Sequence, residues 1–341
     1  MKKVFPLLAL LALAGCYRPA TPWMVETIAF SPNGERLVVV WGGGPRKTPA
    51  PALTILYTVL EDGVEEIARY EGWKEVQSVA FSPDGGTVAV AATMTRQRDL
   101  YLWNEHTPPS HLTNDKSPEG DALFSLEGDA LIYRVREGAG YALLRKGVNG
   151  SERNILLSDD AWRWQPLLWE GEGGESFVLH QFRKGKEIGL ASVPSRGGTA
   201  TKILDGEGVE EGLTIRGGAL LFRRGQAWLL CQGIGGSEGC QEVSPHEEMA
   251  WSGRLVLGPD SLPGGVVLEE GKRRVVLRQE NGEWRREPQG DNHLEVTDVR
   301  TEGAWIVLAL QRLGTDAFVE IVSWDGQGRI KIGAPVVEIS N

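Results

Sequence analysis

Two near-copies of one hexapeptide lie 51 positions apart in this chain: Ala29-Phe30-Ser31-Pro32-Asn33-Gly34 and Ala80-Phe81-Ser82-Pro83-Asp84-Gly85. Each copy leads into an apolar run, at residues 37–41 and 88–92. Pro presets φ for the second position of a turn, Asn or Asp suits the third, and Gly accepts positive φ at the fourth. A turn of this kind between two apolar runs predicts a β-hairpin. Recurrence of such a unit at a fixed period restricts the fold more tightly than any bulk property.

Fading copies continue along the chain. Phe124-Ser125-Leu126-Glu127-Gly128, Trp169-Glu170-Gly171, Ile215-Arg216-Gly217-Gly218, Leu257-Gly258-Pro259-Asp260 and Val299-Arg300-Thr301-Glu302-Gly303 each precede an apolar run. Their first residues, together with Phe30 and Phe81, are spaced by 51, 43, 45, 46, 42 and 42 residues. Four short strands with their turns fill about 40–50 residues, the size of one blade of a β-propeller. No stretch keeps a 3.6-residue apolar period, and the 44 glycines and 18 prolines are spread throughout. The expectation is an all-β chain forming a single β-propeller of seven four-stranded blades, with six or eight as neighbouring counts. A two-sheet sandwich of irregular strands is the competing architecture.

Phe81-Ser82-Pro83-Asp84-Gly85 before an apolar strand, followed by Asp99-Leu100-Tyr101-Leu102-Trp103, resembles the propeller repeat of the TolB family and its WD-repeat-like relatives. The first two repeats carry the resemblance, and the others share its spacing. The resemblance implies the propeller fold. No segment is expected to supply the α/β domain that precedes the propeller in TolB, so the role is not carried over.

The N-terminus reads as an address. Met1-Lys2-Lys3 is basic and residues 4–13 are apolar, too short to span a bilayer but suited to a signal-peptide core. Leu13-Ala14-Gly15-Cys16 resembles the lipobox of bacterial lipoproteins. That resemblance implies cleavage before Cys16 and acylation of its sulfur and nitrogen, giving durable anchoring. Tyr17 stands where Asp would favour inner-membrane retention, so an outer-membrane or cell-surface lipoprotein is expected. The domain reading is therefore a signal peptide at 1–15, a lipidated tether at 16–22 and a propeller at 23–341. Cys231 and Cys240 flank a Gly-rich connection between the third and fourth strands of the fifth repeat, and export permits them to pair as a disulfide.

The formal charge of −10 becomes −12 once Lys2 and Lys3 are removed with the signal peptide. An acidic chain without a basic run argues against nucleic-acid binding. The charges are nonetheless sorted. Connections between second and third strands are basic, including Arg96 and Arg98, Arg183 and Lys184, and Arg223 and Arg224. Connections from one repeat to the next are acidic, as at Glu71, Glu75, Asp159 and Asp160. In a propeller both sets emerge on one face, where they either pair with each other or dock a charged partner.

Trp73, Trp162, Trp164 and Trp251, among the 12 tryptophans, lie just before first strands and so near that same face. They either plug the wedges between repeats or, with the basic residues above, form a binding patch. Catalytic signals are poor. His106, His111, His180, His246 and His293 are scattered without metal-ligand spacing, and no P-loop, G-x-S-x-G elbow or H-E-x-x-H is present. The chain is thus expected not to be an enzyme, with no metal and no cofactor. The reading is a lipid-anchored envelope scaffold that binds another envelope protein or an exposed peptide. Alternatives are an outer-membrane assembly factor and a glycan-binding or glycan-cleaving propeller.

Overall fold

The computed structural model describes residues 22–43, 52–114, 116–137, 140–151, 153–161, 167–170, 176–184, 187–205, 209–216, 219–224, 227–232, 240–243, 254–257, 263–269, 273–280, 283–288, 294–302, 305–312, 315–323 and 329–335. The first sheet holds β1 (Trp23–Phe30), β2 (Arg36–Gly43), β3 (Ala52–Val59) and β4 (Val64–Trp73). The second holds β5 (Glu75–Phe81), β6 (Val88–Thr93), β7 (Arg98–Trp103) and β8 (Ser110–His111). Then come β9 (Glu119–Phe124), β10 (Ala130–Glu137), β11 (Gly140–Gly147) and β12 (Arg153–Ala161). They are followed by β13 (Leu167–Glu170), β14 (Ser176–Lys184), β15 (Glu187–Pro194) and β16 (Thr201–Asp205). A further sheet comprises β17 (Val209–Arg216), β18 (Ala219–Arg224), β19 (Ala227–Gln232) and β20 (Cys240–Glu242). The last two are β21 (Arg254–Leu257), β22 (Pro263–Glu269), β23 (Arg273–Glu280), β24 (Glu283–Pro288), and β25 (Leu294–Glu302), β26 (Trp305–Arg312), β27 (Phe318–Ser323), β28 (Arg329–Ile332).

Within each set the strands pair antiparallel in chain order, and first strands stand beside first strands. β1 touches β5 and β25, β5 touches β9, β13 touches β17, and β21 touches both β17 and β25. The all-β single propeller is thus present, but its blade count corrects the expectation of seven. Among the described residues the strands form six sheets, five of four strands and one of eight. The reason lies in β13, which has only four residues and covers β14 from Ser176 to Leu179. The rest of that β14 edge is reached by the end of the nine-residue β12, where Ala161 pairs with Phe182. One such pairing joins β9–β12 and β13–β16 into a single sheet.

The packing follows from the period-2 alternation of strands. Leu37, Val39 and Trp41 of β2 pack on Val307, Ala309, Val319 and Ile321 of the last sheet. Val38 and Val40, facing the other way, pack on Val79, Val88 and Val90 of the second. Ala89 and Ala91 of β6 in turn meet Leu131, Tyr133 and Val135 of β10. Middle strands are therefore apolar on both faces, each fully buried Val or Leu contributing about 1.5–3 kcal/mol. Outer strands such as β4 keep an exposed polar face.

Among the described residues the first and last sheets meet, each built from consecutive strands. The Trp23 N–H donates to Asp316 Oδ1 at 2.8 Å, and the Ala317 N–H donates to the Trp23 carbonyl at 2.7 Å. Trp23 itself is buried among first-sheet and last-sheet residues.

The repeated hexapeptide closes the hairpins between first and second strands. Ser31, Ser82 and Ser125 are buried. Their hydroxyls accept from the N–H of Arg36, Thr87 and Ala130, five residues on, at 2.8, 2.9 and 3.1 Å. Each donates to a side-chain oxygen: Asn33 at 2.6 Å, Asp84 at 2.5 Å and Asp129 at 2.6 Å. Gly85 and Gly128 have φ of 71° and 73°, where a side chain is strained. They also sit against the preceding turn. A Cβ at Gly85 would stand 3.2 Å from Asn33 Oδ1, and one at Gly128 would stand 3.3 Å from Pro83 Cδ. Successive turns are stacked edge to edge.

Candidate binding face

The face opposite those turns gathers the connections in which the charges are sorted. Between the first and second sheets, the Lys74 N–H donates to the Thr93 carbonyl and its ammonium donates to the Thr95 carbonyl, both at 2.8 Å. Glu75 follows, its carboxylate 4.0 Å from the Arg98 guanidinium. Arg98 Nε also donates to the Glu119 carbonyl at the start of β9, so one side chain touches two sheets. Arg96 stands exposed at the tip of the same connection.

Deeper in, polar groups are held by burial and pairing. Asp99 is buried and accepts from Gln97 Nε2, with His111 Nε2 also 3.0 Å from its other oxygen. The His111 ring stacks on Tyr101 at 4.8 Å. Arg134, near the end of β10, is buried, forms an ion pair with Asp121 and lies over the Tyr141 ring at 4.7 Å. Burial pushes its pKa below the usual guanidinium value; Tyr141 opposes that shift and nearby Arg98 adds to it. Thr113 accepts from the Leu100 N–H at 2.8 Å and donates to the Glu119 carboxylate.

First strands carry a one-residue bulge near this face. The register skips Glu26 in β1, Gln77 in β5 and Thr297 in β25. In β9 the register also shifts, and there Asp121 has φ of 49°. A bulge adds a residue that has no cross-strand partner and re-aims its side chain. Glu26 Oε1 lies over Gly42, where a Cβ would be 2.1 Å away, and Gln77 reaches Gly120 of the next first strand. Although the Glu26 side chain keeps one open side, the surrounding protein raises its pKa, and the Glu75 charge adds to the shift.

The residues singled out from the sequence are only partly brought together. Arg96 and Arg98 share the face with Lys74 and Glu75. Trp73 is corrected: it is 0 % exposed and fills the wedge between sheets one and two. Its ring lies 4.4 Å from Tyr70 and 5.9 Å, edge-on, from Trp103. No surface of Trp73 remains for a partner. Arg183 and Lys184 are not loop residues but the end of β14, paired with Ile188 and Glu187. Arg223 and Arg224 likewise end β18, opposite Trp228 and Ala227. Trp162, Trp164, Trp251 and Cys16 lie outside the described residues. Cys231 and Cys240 are cross-strand partners in β19 and β20 and form a disulfide. Among the described residues no three His, Cys, Asp or Glu side chains stand close enough to hold a metal. Sequence reasoning missed the bulges and the Arg134–Asp121 pair.

No family model matches the chain, and no curated protein matches it. Solved structures do. The β-propeller domain of the trilobed protease from Pyrococcus furiosus, described as having an open velcro topology, is 10% identical with a TM-score of 0.64. That likeness covers 92% of this chain and 96% of that one. The acylaminoacyl peptidase of Pyrococcus horikoshii is 9% identical with a TM-score of 0.64, covering 92% of this chain and 52% of that one. TolB from Acinetobacter baumannii is also similar, at 18% identity and a TM-score of 0.44, over 63% of this chain and 53% of that one. The chain thus spans about half the length of the peptidase and of TolB. Identities this low speak for the fold. The expectation that the chain is not an enzyme does not stand. Propellers of this build occur within a protease and a peptidase, so the absence of a catalytic motif excludes nothing.

Proposed function

We propose that the chain is a protein- or peptide-binding scaffold, held at a bacterial cell envelope by a lipid on Cys16. The observation that carries this reading is the convergence of connections from separate sheets on one face. There Lys74, Glu75, Arg96 and Arg98 stand together, and Arg98 ties β9 to the site. The sheets behind them bury their apolar side chains against one another, which leaves these connections free to carry polar side chains on the surface. Rigid scaffolds commonly carry their binding residues on such connections.

In this reading residues 1–15 direct export, 16–22 tether the ring and 23–341 form it. The partner is an envelope protein or an exposed peptide, and the membrane is engaged through the lipid. An outer-membrane or surface location rests on the lipobox-like Leu13-Ala14-Gly15-Cys16 and on Tyr17.

Two measurements test it. Radiolabelled palmitate should be incorporated in cells and lost in Cys16→Ser. A photo-crosslinking residue at Arg96 should capture a discrete protein from intact envelopes, whereas one at the exposed Glu65 of β4 should not. Capture at neither position above background would refute the Arg96 face as the scaffold's docking surface.

A further inference from the structure

The opposite face carries a cleft between two of the stacked turns. It encloses about 320 Å³ and lies between the β5–β6 and β9–β10 corners. Pro83, Leu102, Phe124 and Val148 give it apolar walls, and among the described residues its charged lining is Asp84 and Glu127. A volume at the low end of the roughly 300–1,000 Å³ of small-molecule sites holds one or two side chains and not a large ligand.

The carboxylates are built in differently. Asp84 is held in place by Ser82 and by the Gly86 N–H, and both bonds end on Oδ1. These bonds keep its pKa below the usual carboxylate value, so the rim stays charged. Glu127 pairs with Arg196 at 3.0 Å, an exposed contact that a competing cation displaces at little cost. Beside it Leu126, 39 % exposed, occupies the position held by Pro32 and Pro83 in the first two turns. Apolar walls under an acidic rim are complementary to one kind of segment.

We infer that this cleft docks a short stretch of a partner protein presenting an apolar side chain next to a Lys or Arg. The apolar side chain fills the space between Pro83 and Phe124, and the cation meets Asp84 and Glu127. This rests on the scaffold reading and assigns it a second contact, on the face away from Arg96.

An array of hexapeptides tests it, pairing Leu, Phe or Tyr with Lys, Ser or Glu, titrated against the full chain by fluorescence anisotropy. Binding is expected for the Lys peptides and should fall at least tenfold when Glu replaces Lys. In Asp84→Asn/Glu127→Gln the Kd should rise about five- to tenfold with an unchanged melting temperature. Asn33 fills the Asp84 role in the first turn, so the corner survives that change. Equal binding of Lys and Glu peptides, equal binding to the double variant, or no binding up to millimolar peptide would each overturn the inference. Capture at Arg96 alongside such a result would leave the scaffold standing. Absence of capture alongside tight, Asp84-dependent peptide binding would remove the Arg96 face alone.

Discussion

Trp73→Ala separates a wedge from a binding residue. The indole is wholly buried between the first two sheets, in contact with Tyr70 and Trp103 and 6.3 Å from Tyr101. Truncating a buried Trp to Ala costs about 3–5 kcal/mol, because the cavity collapses only in part. A ring of some 320 residues melting as a unit has an unfolding entropy of about 0.7 kcal/mol/K, so about 4 kcal/mol lowers Tm by about 6 °C. Trp73→Phe should cost much less. Nε1 is buried with no hydrogen-bond acceptor, and removing it relieves an unsatisfied donor while the ring still fills most of the space. A Tm loss of about 1–2 °C is expected for Phe. Circular dichroism melts of both variants, with partner capture at Arg96 measured in parallel, decide the matter. A Trp73→Ala protein that melts within 1 °C of the parent yet loses capture would refute the wedge.

Three further outcomes follow from the geometry. Gly85→Ala places a Cβ at φ 71° and against Asn33, so urea unfolding should show a loss of about 1–3 kcal/mol. Glu26→Gln should stabilise at pH 7 by under about 0.5 kcal/mol, given the open side of the group. A carboxyl whose pKa is raised on folding penalises the fold above that pKa, so the gain should vanish by pH 4; a gain that grows on acidification would contradict the assignment. Reducing Cys231–Cys240 opens a link of sequence separation 9, and the chain-entropy model gives a loss of about 2–3 kcal/mol, read as a lower Tm in dithiothreitol.

Much of the fold could be read from one turn. Ser31 and Ser82 announced their hairpins because the hydroxyl, the Asn or Asp and the Gly all serve a single corner. The third corner was harder, since Asp129 and not the residue at 127 receives the Ser125 hydroxyl. The joined sheet was not legible: it depends on β13 ending early and on a single pairing at Ala161, neither of which leaves a pattern. Bulges were equally hidden, because one extra residue at Glu26 or Gln77 looks like ordinary alternation slipping by one. At the candidate face the charges were visible, but their reach was not. Arg98 could be placed in a connection, whereas its contact with the Glu119 carbonyl of another sheet required the ring.

Closure at Trp23 bears on how the molecule is made. The strands of each four-stranded sheet are consecutive in the chain, so each can assemble as it emerges. The outer flank of the first sheet cannot be covered so soon. Leu37, Val39, Trp41, Leu53 and Ile55 wait for Val307–Ile332, some 250 residues behind. At about 5–20 residues per second that wait is on the order of 10–50 s. For that interval the youngest molecule presents an uncovered apolar sheet face, the surface on which holding chaperones act and on which two nascent chains would stick together.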